Sequence, residues 1–228
     1  MGDFPGLSEN FAVDRIRVMV VDDDDFTRSM VVSSLQMQDY DVINESSSAS
    51  SAIKSAIKLK PDVAILDLDL GSGPNGVDLA LALRREIPRI AIVMLTTFED
   101  PRFLSPNIPM LPEGSLYLVK REVSKIEKLG IAIEQAITNS KTLNKNDKLV
   151  KTPRTSLTDN QVEIMRLVAM GLSNAQIAKK RGINEKSVEQ TISRITKELN
   201  LNSSAERNSR VQLSLYYQQL VGGKITNA

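Results

Sequence analysis

Two short apolar runs in this chain open directly into carboxylates. Val18-Met-Val-Val is followed by Asp22-Asp-Asp-Asp25, and Val63-Ala-Ile-Leu by Asp67-Leu-Asp69. Apolar runs of this length read as buried parallel strands, and open α/β sheets carry their chemistry at the carboxyl ends of strands. Acids from the two strands would therefore meet at one edge. Carboxylates gathered there suit a hard cation such as Mg²⁺, which holds a phosphoryl group and neutralises its charge. Asp67 is the candidate nucleophile, attacking phosphorus to form an acyl phosphate, with Asp22 and Asp23 as candidate metal ligands. A fourth apolar run ends in Thr96 and a fifth in Lys120, a hydroxyl and an ammonium suited to phosphoryl oxygens. Each residue alone would read as a turn former, a cap or a surface group. Their order along consecutive strands is what gives the set weight.

The elements that must position them alternate regularly. Arg17–Val21 reads as strand one and 26–38 as a helix with Met30, Val31, Leu35 and Met37 available for burial. Asp41–Glu45 is a short strand, and Ala49–Leu59 is a helix with Ala52, Ile53, Ala56 and Ile57 at helical spacing, closed by Pro61. Val63–Leu66 is strand three, followed by the turn Gly71-Ser-Gly-Pro-Asn-Gly76 and a helix over 77–86. Ile90–Leu95 is strand four, Leu116–Val119 strand five, and 124–139 an amphipathic helix starting on a Ser124 cap. This pattern predicts a flavodoxin-like, doubly wound α/β unit with a five-stranded parallel sheet. Between strands four and five, Asp100-Pro-Arg-Phe-Leu-Ser-Pro-Asn-Ile-Pro-Met-Leu-Pro112 carries four prolines, so no regular helix is expected there.

Composition narrows the chemistry. The 228 residues contain neither cysteine nor histidine. That excludes disulfides, Ser-His-Asp and Cys-His catalysis, and zinc sites built on imidazole or thiolate, so any metal must be held by oxygen. The N-terminal residues do not read as a signal peptide and no apolar run reaches membrane length, so a cytoplasmic location is expected. The net charge of +1 conceals an asymmetry. Residues 151–228 carry 12 Lys/Arg against 6 Asp/Glu, which leaves 17 against 22 in residues 1–150. An acidic front and a basic back point to separate tasks, the second on nucleic acid.

The basic part reads as a separate all-α unit. Residues 13–139 form the first domain, 140–153 a solvated linker rich in Lys, Asn and Thr, and 154–228 the second domain. Thr158 and Gln161 form a capping box opening a helix over 159–170 that Gly171 ends. Asn174–Arg181 is a short helix behind a Ser173 cap, Gly182-Ile-Asn a turn, 187–199 a third helix and 204–221 a fourth. In the third helix Val188, Ile192, Ile195 and Leu199 form one stripe. Glu189, Gln190, Ser193 and Lys197 then face outward, with Arg194 beside them. A short helix, a glycine turn and a second amphipathic helix make a helix-turn-helix, whose second helix enters the major groove. Gln190 suits an adenine edge, and Arg194 and Lys197 suit guanine or phosphate. A plain helical bundle with a solvated charged face fits the same residues equally well. The fourth helix is more apolar than so small a unit needs, so part of it is expected in the core and part in pairing with a second copy.

The motifs VVDDDDFTR, ILDLDL, MLTTF and YLVK, in that order over residues 15–138, resemble the receiver domain of two-component response regulators. Residues 156–201, SLTDNQVEIMRLVAMGLSNAQIAKKRGINEKSVEQTISRITKELNL, are similar to the LuxR-type helix-turn-helix of NarL/FixJ regulators. The resemblance implies that Asp67 is the phosphoacceptor, that Asp22, Asp23 and Asp67 with the backbone carbonyl of Asp69 hold Mg²⁺, that Thr96 and Tyr117 are the switch pair, and that Lys120 senses the phosphoryl group. It implies DNA contacts from Lys186, Ser187, Glu189, Gln190, Ser193, Arg194 and Lys197. Several positions depart from the family pattern. The loop after Asp67 lacks the usual proline and is one residue longer before Gly76. Arg121 follows Lys120 in place of proline, and the proline-rich segment replaces the fourth helix. Gln161 replaces Glu, Thr191 replaces a frequent histidine, and Glu189 and Ser193 replace base-contacting lysines.

The expected function is a transcription factor, not an enzyme beyond phosphorylation and dephosphorylation of Asp67 itself. Its implied partners are a sensor histidine kinase, promoter DNA, a second copy of the chain and RNA polymerase. A regulator of the same architecture controlled by protein partners, with Asp67 idle, is the main alternative, and a C-terminal interaction module that binds no DNA is another. A remoter one is an Asp-x-Asp phosphatase of the haloacid dehalogenase type, built on Asp67-Leu-Asp69. Those enzymes carry that motif on the first strand with the other acids downstream, whereas here the acid pair lies upstream.

Overall fold

In the computed structural model, residues 15–105, 107–123, 126–142, 149–150, 154–201 and 208–221 are described. The two acid-bearing strands form as expected. β1 (Arg17–Val21) and β3 (Val63–Leu66) lie side by side and parallel, with Val21 opposite Leu66. β2 (Asp41–Ser46) flanks β1, and β4 (Ala91–Thr96) and β6 (Leu116–Val119) extend the other side, giving the parallel order β2-β1-β3-β4-β6. β3 and β4 are buried along their whole length, as strands covered on both faces must be.

Local sequence starts each helix. α1 (Asp25–Gln36) begins on Asp24, whose carboxylate accepts the Thr27 amide at 2.7 Å. α2 (Ala49–Leu59) begins on Ser48, and α3 (Gly76–Glu86) on an Asn75/Asp78 capping box. α4 (Ile126–Lys141) completes the receiver fold. Its Ser124 cap lies outside the described residues, and the helix runs two residues beyond its expected end, into the 140–153 stretch. Two expectations of burial fail, at Met30 on α1 and at Met37, which caps its C-terminal end. Met30 and Met37 are 58% and 77% exposed, because Val32 and Leu35 take the face toward the sheet and the two methionines fall outside that stripe. On α2, Ala52 and Ala56 are buried while Ile57 is half exposed, for the same reason of phase.

The proline-rich segment contains no α-helix among the described residues. Asp100 caps a single 3₁₀ turn at Pro101–Phe103, and Leu111–Pro112 forms a two-residue strand, β5. β5 pairs antiparallel with β7 (Leu149–Val150). Part of the stretch expected to be a solvated linker is thus tied into a sheet.

The second unit is all helical. α5 (Asp159–Ala169) and α6 (Asn174–Arg181) each open on the full capping box, Thr158/Gln161 and Ser173/Gln176. α7 (Glu185–Glu198) starts two residues earlier than expected, because Asn184 supplies the cap. α8 (Ser209–Leu220) completes the unit, and the expected start of that helix at 204 lies outside the described residues. One core, Val18, Val20, Val32, Leu35, Ile65, Val93 and Ile133 among others, lies between the sheet and α1 and α4. The other begins under α2 and α3 and runs without a break through Phe98, Phe103 and Leu111 into Leu157, Met165, Ile195, Leu213 and Tyr217 of the helical unit.

Candidate functional site

Asp22 and Asp67 follow directly from the ends of paired strands, and the Asp67 amide donates to Val21 O at 2.8 Å. Both carboxylates are almost fully buried at 3% exposure, whereas Asp23 is exposed. One carboxylate oxygen from each of the three can lie within 4.8 Å of the others. Across the sheet, Thr96 stands opposite Val119, which places Lys120 one residue beyond the same edge. The Lys120 ammonium donates to Asp22 Oδ2 at 2.7 Å and to Asp67 Oδ2 at 2.8 Å. The other Asp67 oxygen, Oδ1, accepts the Leu68 amide at 2.6 Å.

These groups set one another's protonation. Burial and the Asp67 charge push Asp22 above the ordinary carboxylate range, against the pull of Lys120. Burial opposes the charge on Lys120, yet the Asp67 charge and hydrogen bonds to Asp22 and Asp67 hold its ammonium above the usual lysine value. Burial first, then the charges of Asp100 and Asp67, raise the Tyr117 hydroxyl, which stays neutral and donates to Phe98 O at 2.8 Å. Thr96 is fully buried, and its Oγ1 accepts the Phe98 amide at 3.4 Å. Asp69 is half-buried and accepts the Gly71 amide. Asp22, Asp23, Asp67 and Lys120 thus converge on one edge, with Thr96 and Tyr117 on the neighbouring strands.

Two supporting residues escaped the sequence reading. Arg28 Nη1 donates to Asp22 O at 2.7 Å and Nη2 to Asp25 at 2.5 Å, bracing the loop that presents Asp22. The spacing of Asp25 and Arg28 on a first helical turn is the signal that could have shown it. Gly76, read only as part of a turn, lies against the phosphoacceptor candidate. A Cβ there would sit 2.0 Å from Asp67 O. Neither partner in that clash is a side chain that could swing away, so Gly76→Ala is expected to cost about 2–3 kcal/mol and to displace Asp67. Thermal denaturation of the variant checks the first effect.

In the helical unit, α7 buries Val188, Ile192 and Ile195 and exposes Lys186, Glu189, Gln190, Ser193, Arg194 and Lys197, with Ser187 half-buried and bonded to Asn184. The outward residues are those expected from the stripe. Lys179, Lys180 and Arg181 end α6 beside the turn that leads into it.

The comparisons with known proteins agree with both halves. Residues 18–109 match the response regulator receiver domain, and residues 155–209 match the bacterial regulatory proteins of the luxR family. Response regulator protein VraR of Staphylococcus aureus is 31% identical over 208 residues, spanning 88% of this chain and 95% of VraR. This chain belongs to the NarL-type response regulators. Transcriptional regulatory protein LiaR of Bacillus subtilis is 29% identical over 214 residues, covering 88% of this chain and 96% of LiaR. Among solved structures, the response regulator RcsB in its DNA complex superposes with a TM-score of 0.52 at 20% identity, covering 91% of this chain and all of that one. That likeness bears on the fold. The response regulator therefore joins a receiver fold with an acidic pocket to a LuxR-type DNA-binding domain. Its relatives are transcriptional regulators, not enzymes in the ordinary sense. None of its described helices is long and apolar enough to cross a membrane.

Proposed function

We propose that Asp67 accepts a phosphoryl group from a phosphohistidine on a sensor kinase and that the phosphorylated protein binds promoter DNA as a dimer in the cytoplasm. The observation that carries the first half is the convergence of Asp22, Asp67 and Lys120, with 2.7 and 2.8 Å hydrogen bonds across strands 98 and 53 residues apart in sequence. A carboxylate oxygen of Asp67 attacks phosphorus, the N–P bond of the donor breaks, and the departing imidazole keeps the electron pair and takes up a proton. Lys120 then turns its hydrogen bonds to the new phosphoryl oxygens, and Thr96 is placed on the adjacent strand to donate a further one. The carboxylates of Asp22, Asp23 and Asp67, with the carbonyl of Asp69, would hold Mg²⁺, since the three acids converge and are all oxygen donors. Bound there, Mg²⁺ supplies charge neutralisation for the transferred group.

For the second half, the exposed face of α7 is the reading surface. Gln190 matches adenine, Arg194 guanine, and Glu189 the amino group of cytosine, while Lys186 and Lys197 suit phosphates and the hydroxyls of Ser187 and Ser193 suit phosphates or base edges. Val211 and Leu215, each 55% exposed and one turn apart on α8, offer an apolar strip to a second copy, which matches an inverted pair of half-sites. RNA polymerase is the downstream partner of a promoter-bound regulator. A salt titration of binding to promoter duplex tests this half. Phosphate contacts give a steep negative slope of log K against log salt, and Lys186→Ala with Lys197→Ala is expected to flatten it by about 2. A flat slope in the wild type would refute DNA binding and favour an interaction module.

A further inference from the structure

The segment where the family carries a fourth helix makes its own set of contacts. Pro101 holds the first position of the 3₁₀ turn, and Asp100 Oδ1 accepts the Arg102 amide at 3.0 Å. This folds Arg102 back on Asp100, with Nε at 3.1 Å from both carboxylate oxygens and Nη2 at 2.7 Å from Oδ2. The pair is buried, at 0% and 5% side-chain exposure. A buried pair is tolerable only when its remaining donors and acceptors are also satisfied. Here they are satisfied by the DNA-binding domain. Arg102 Nη1 donates to Leu157 O and to Asp159 Oδ1, both at 2.8 Å, and Nη2 to Thr155 O at 3.2 Å. Asp100 Oδ2 in turn accepts the Thr155 amide at 2.8 Å and its hydroxyl at 3.2 Å.

The next residue grips a second helix. The rings of Phe103 and Tyr217 meet edge to face at 5.6 Å, and the Tyr217 hydroxyl donates to Phe103 O at 2.8 Å. On the receiver side the same segment starts from Phe98, fully buried and bonded to Thr96 and Tyr117. None of these contacts involves the outward residues of α7, which stay exposed.

We propose that residues 98–103 form an intramolecular clasp, with the Asp100–Arg102 pair as its lock, that holds the DNA-binding domain on the receiver as one body with the reading helix facing outward. Because the clasp begins at Phe98, between the Thr96 and Tyr117 hydroxyls, a change at Asp67 reaches the DNA-binding domain by altering the clasp and not by uncovering α7. This last step rests on the phosphoacceptor reading above, whereas the clasp itself does not.

The test is NMR relaxation on the full-length chain. The wild type is expected to show one rotational correlation time for both domains. The double variant Asp100→Asn/Arg102→Leu removes the pair without stranding a buried charge, and Asp159→Ala/Tyr217→Phe removes two of its hydrogen bonds between the domains while leaving the pair in place. Both are expected to lose the shared time and show two unequal, shorter ones. If the first variant fails to fold, the second decides. Independent tumbling in the wild type, or a shared time in a folded variant, would overturn the clasp. In the opened variant Asp67 is expected to take up a phosphoryl group as in the wild type, with the accompanying gain in DNA affinity lost. A retained gain would overturn the route through the clasp. An absence of any adduct on the wild type would instead refute the phosphoacceptor reading and leave the tumbling result to judge the clasp.

Discussion

Asp67→Ala is expected to lose the phosphoryl adduct completely. Incubated with Mg²⁺ and phosphoramidate, the wild type should gain a single phosphoryl group by intact mass, and hydroxylamine should release it, as it does from acyl phosphates. Other carboxylates lie nearby, so the variant tests the assignment. Asp22 is as buried as Asp67, but it follows the end of β1, is bonded to Lys120 and lies beside the exposed Asp23. Asp67 likewise follows the end of its strand, β3, and is bonded to Lys120, and its Oδ1 is held by the Leu68 amide. An adduct of equal yield on Asp67→Ala would move the nucleophile to Asp22 or Asp23. The variant should remain folded, because Lys120 keeps Asp22 as a partner.

Lys120→Ala is expected to have the largest effect on stability. Lys120 is the positive charge bonded to both buried carboxylates. Removing one partner of a buried ion pair costs about 3 kcal/mol, because the remaining charge is left uncompensated. In a chain of this size that lowers Tm by about 6–12 °C. A cation that binds only the native state stabilises it by mass action, about 1.4 kcal/mol at ten times its Kd. Mg²⁺ should therefore raise Tm in the wild type and raise it further in Lys120→Ala, where the two buried carboxylates have lost the ammonium bonded to both. Calorimetry with and without Mg²⁺ checks both, and a variant with unchanged Tm would show that the pair contributes nothing net.

Features encoded locally were legible in the sequence. An apolar run that ends in an acid is a strand delivering a carboxylate, so Asp22, Asp67 and Lys120 could be placed on one edge from order alone. The helix starts at Thr158 and Ser173 followed from capping chemistry confined to four residues. Prolines argued against a regular α-helix at 100–112, and none forms among the described residues, but they could not say what the segment does instead. Arg102 and Asp100 meet Thr155 and Leu157 some 55 residues away, and Phe103 meets Tyr217 at a separation of 114. No periodicity reports such contacts. Gly76 was hidden for a related reason, since its role is the space it leaves for Asp67 O. Met30 and Met37 show the converse error: an apolar residue on an amphipathic helix is buried only if it falls on the stripe that faces the sheet.

The coupling of Asp67 to DNA binding is tested most directly by the affinity for one promoter duplex at one fixed salt concentration, measured with and without the phosphoryl donor on wild type and Asp67→Ala. Coupling between sites in switching proteins is typically about 1–3 kcal/mol, or 5–150-fold. The donor is expected to tighten wild-type binding within that range and to leave Asp67→Ala unchanged. A wild type that carries the adduct yet binds DNA no more tightly, or an equal gain in Asp67→Ala, would contradict the coupling.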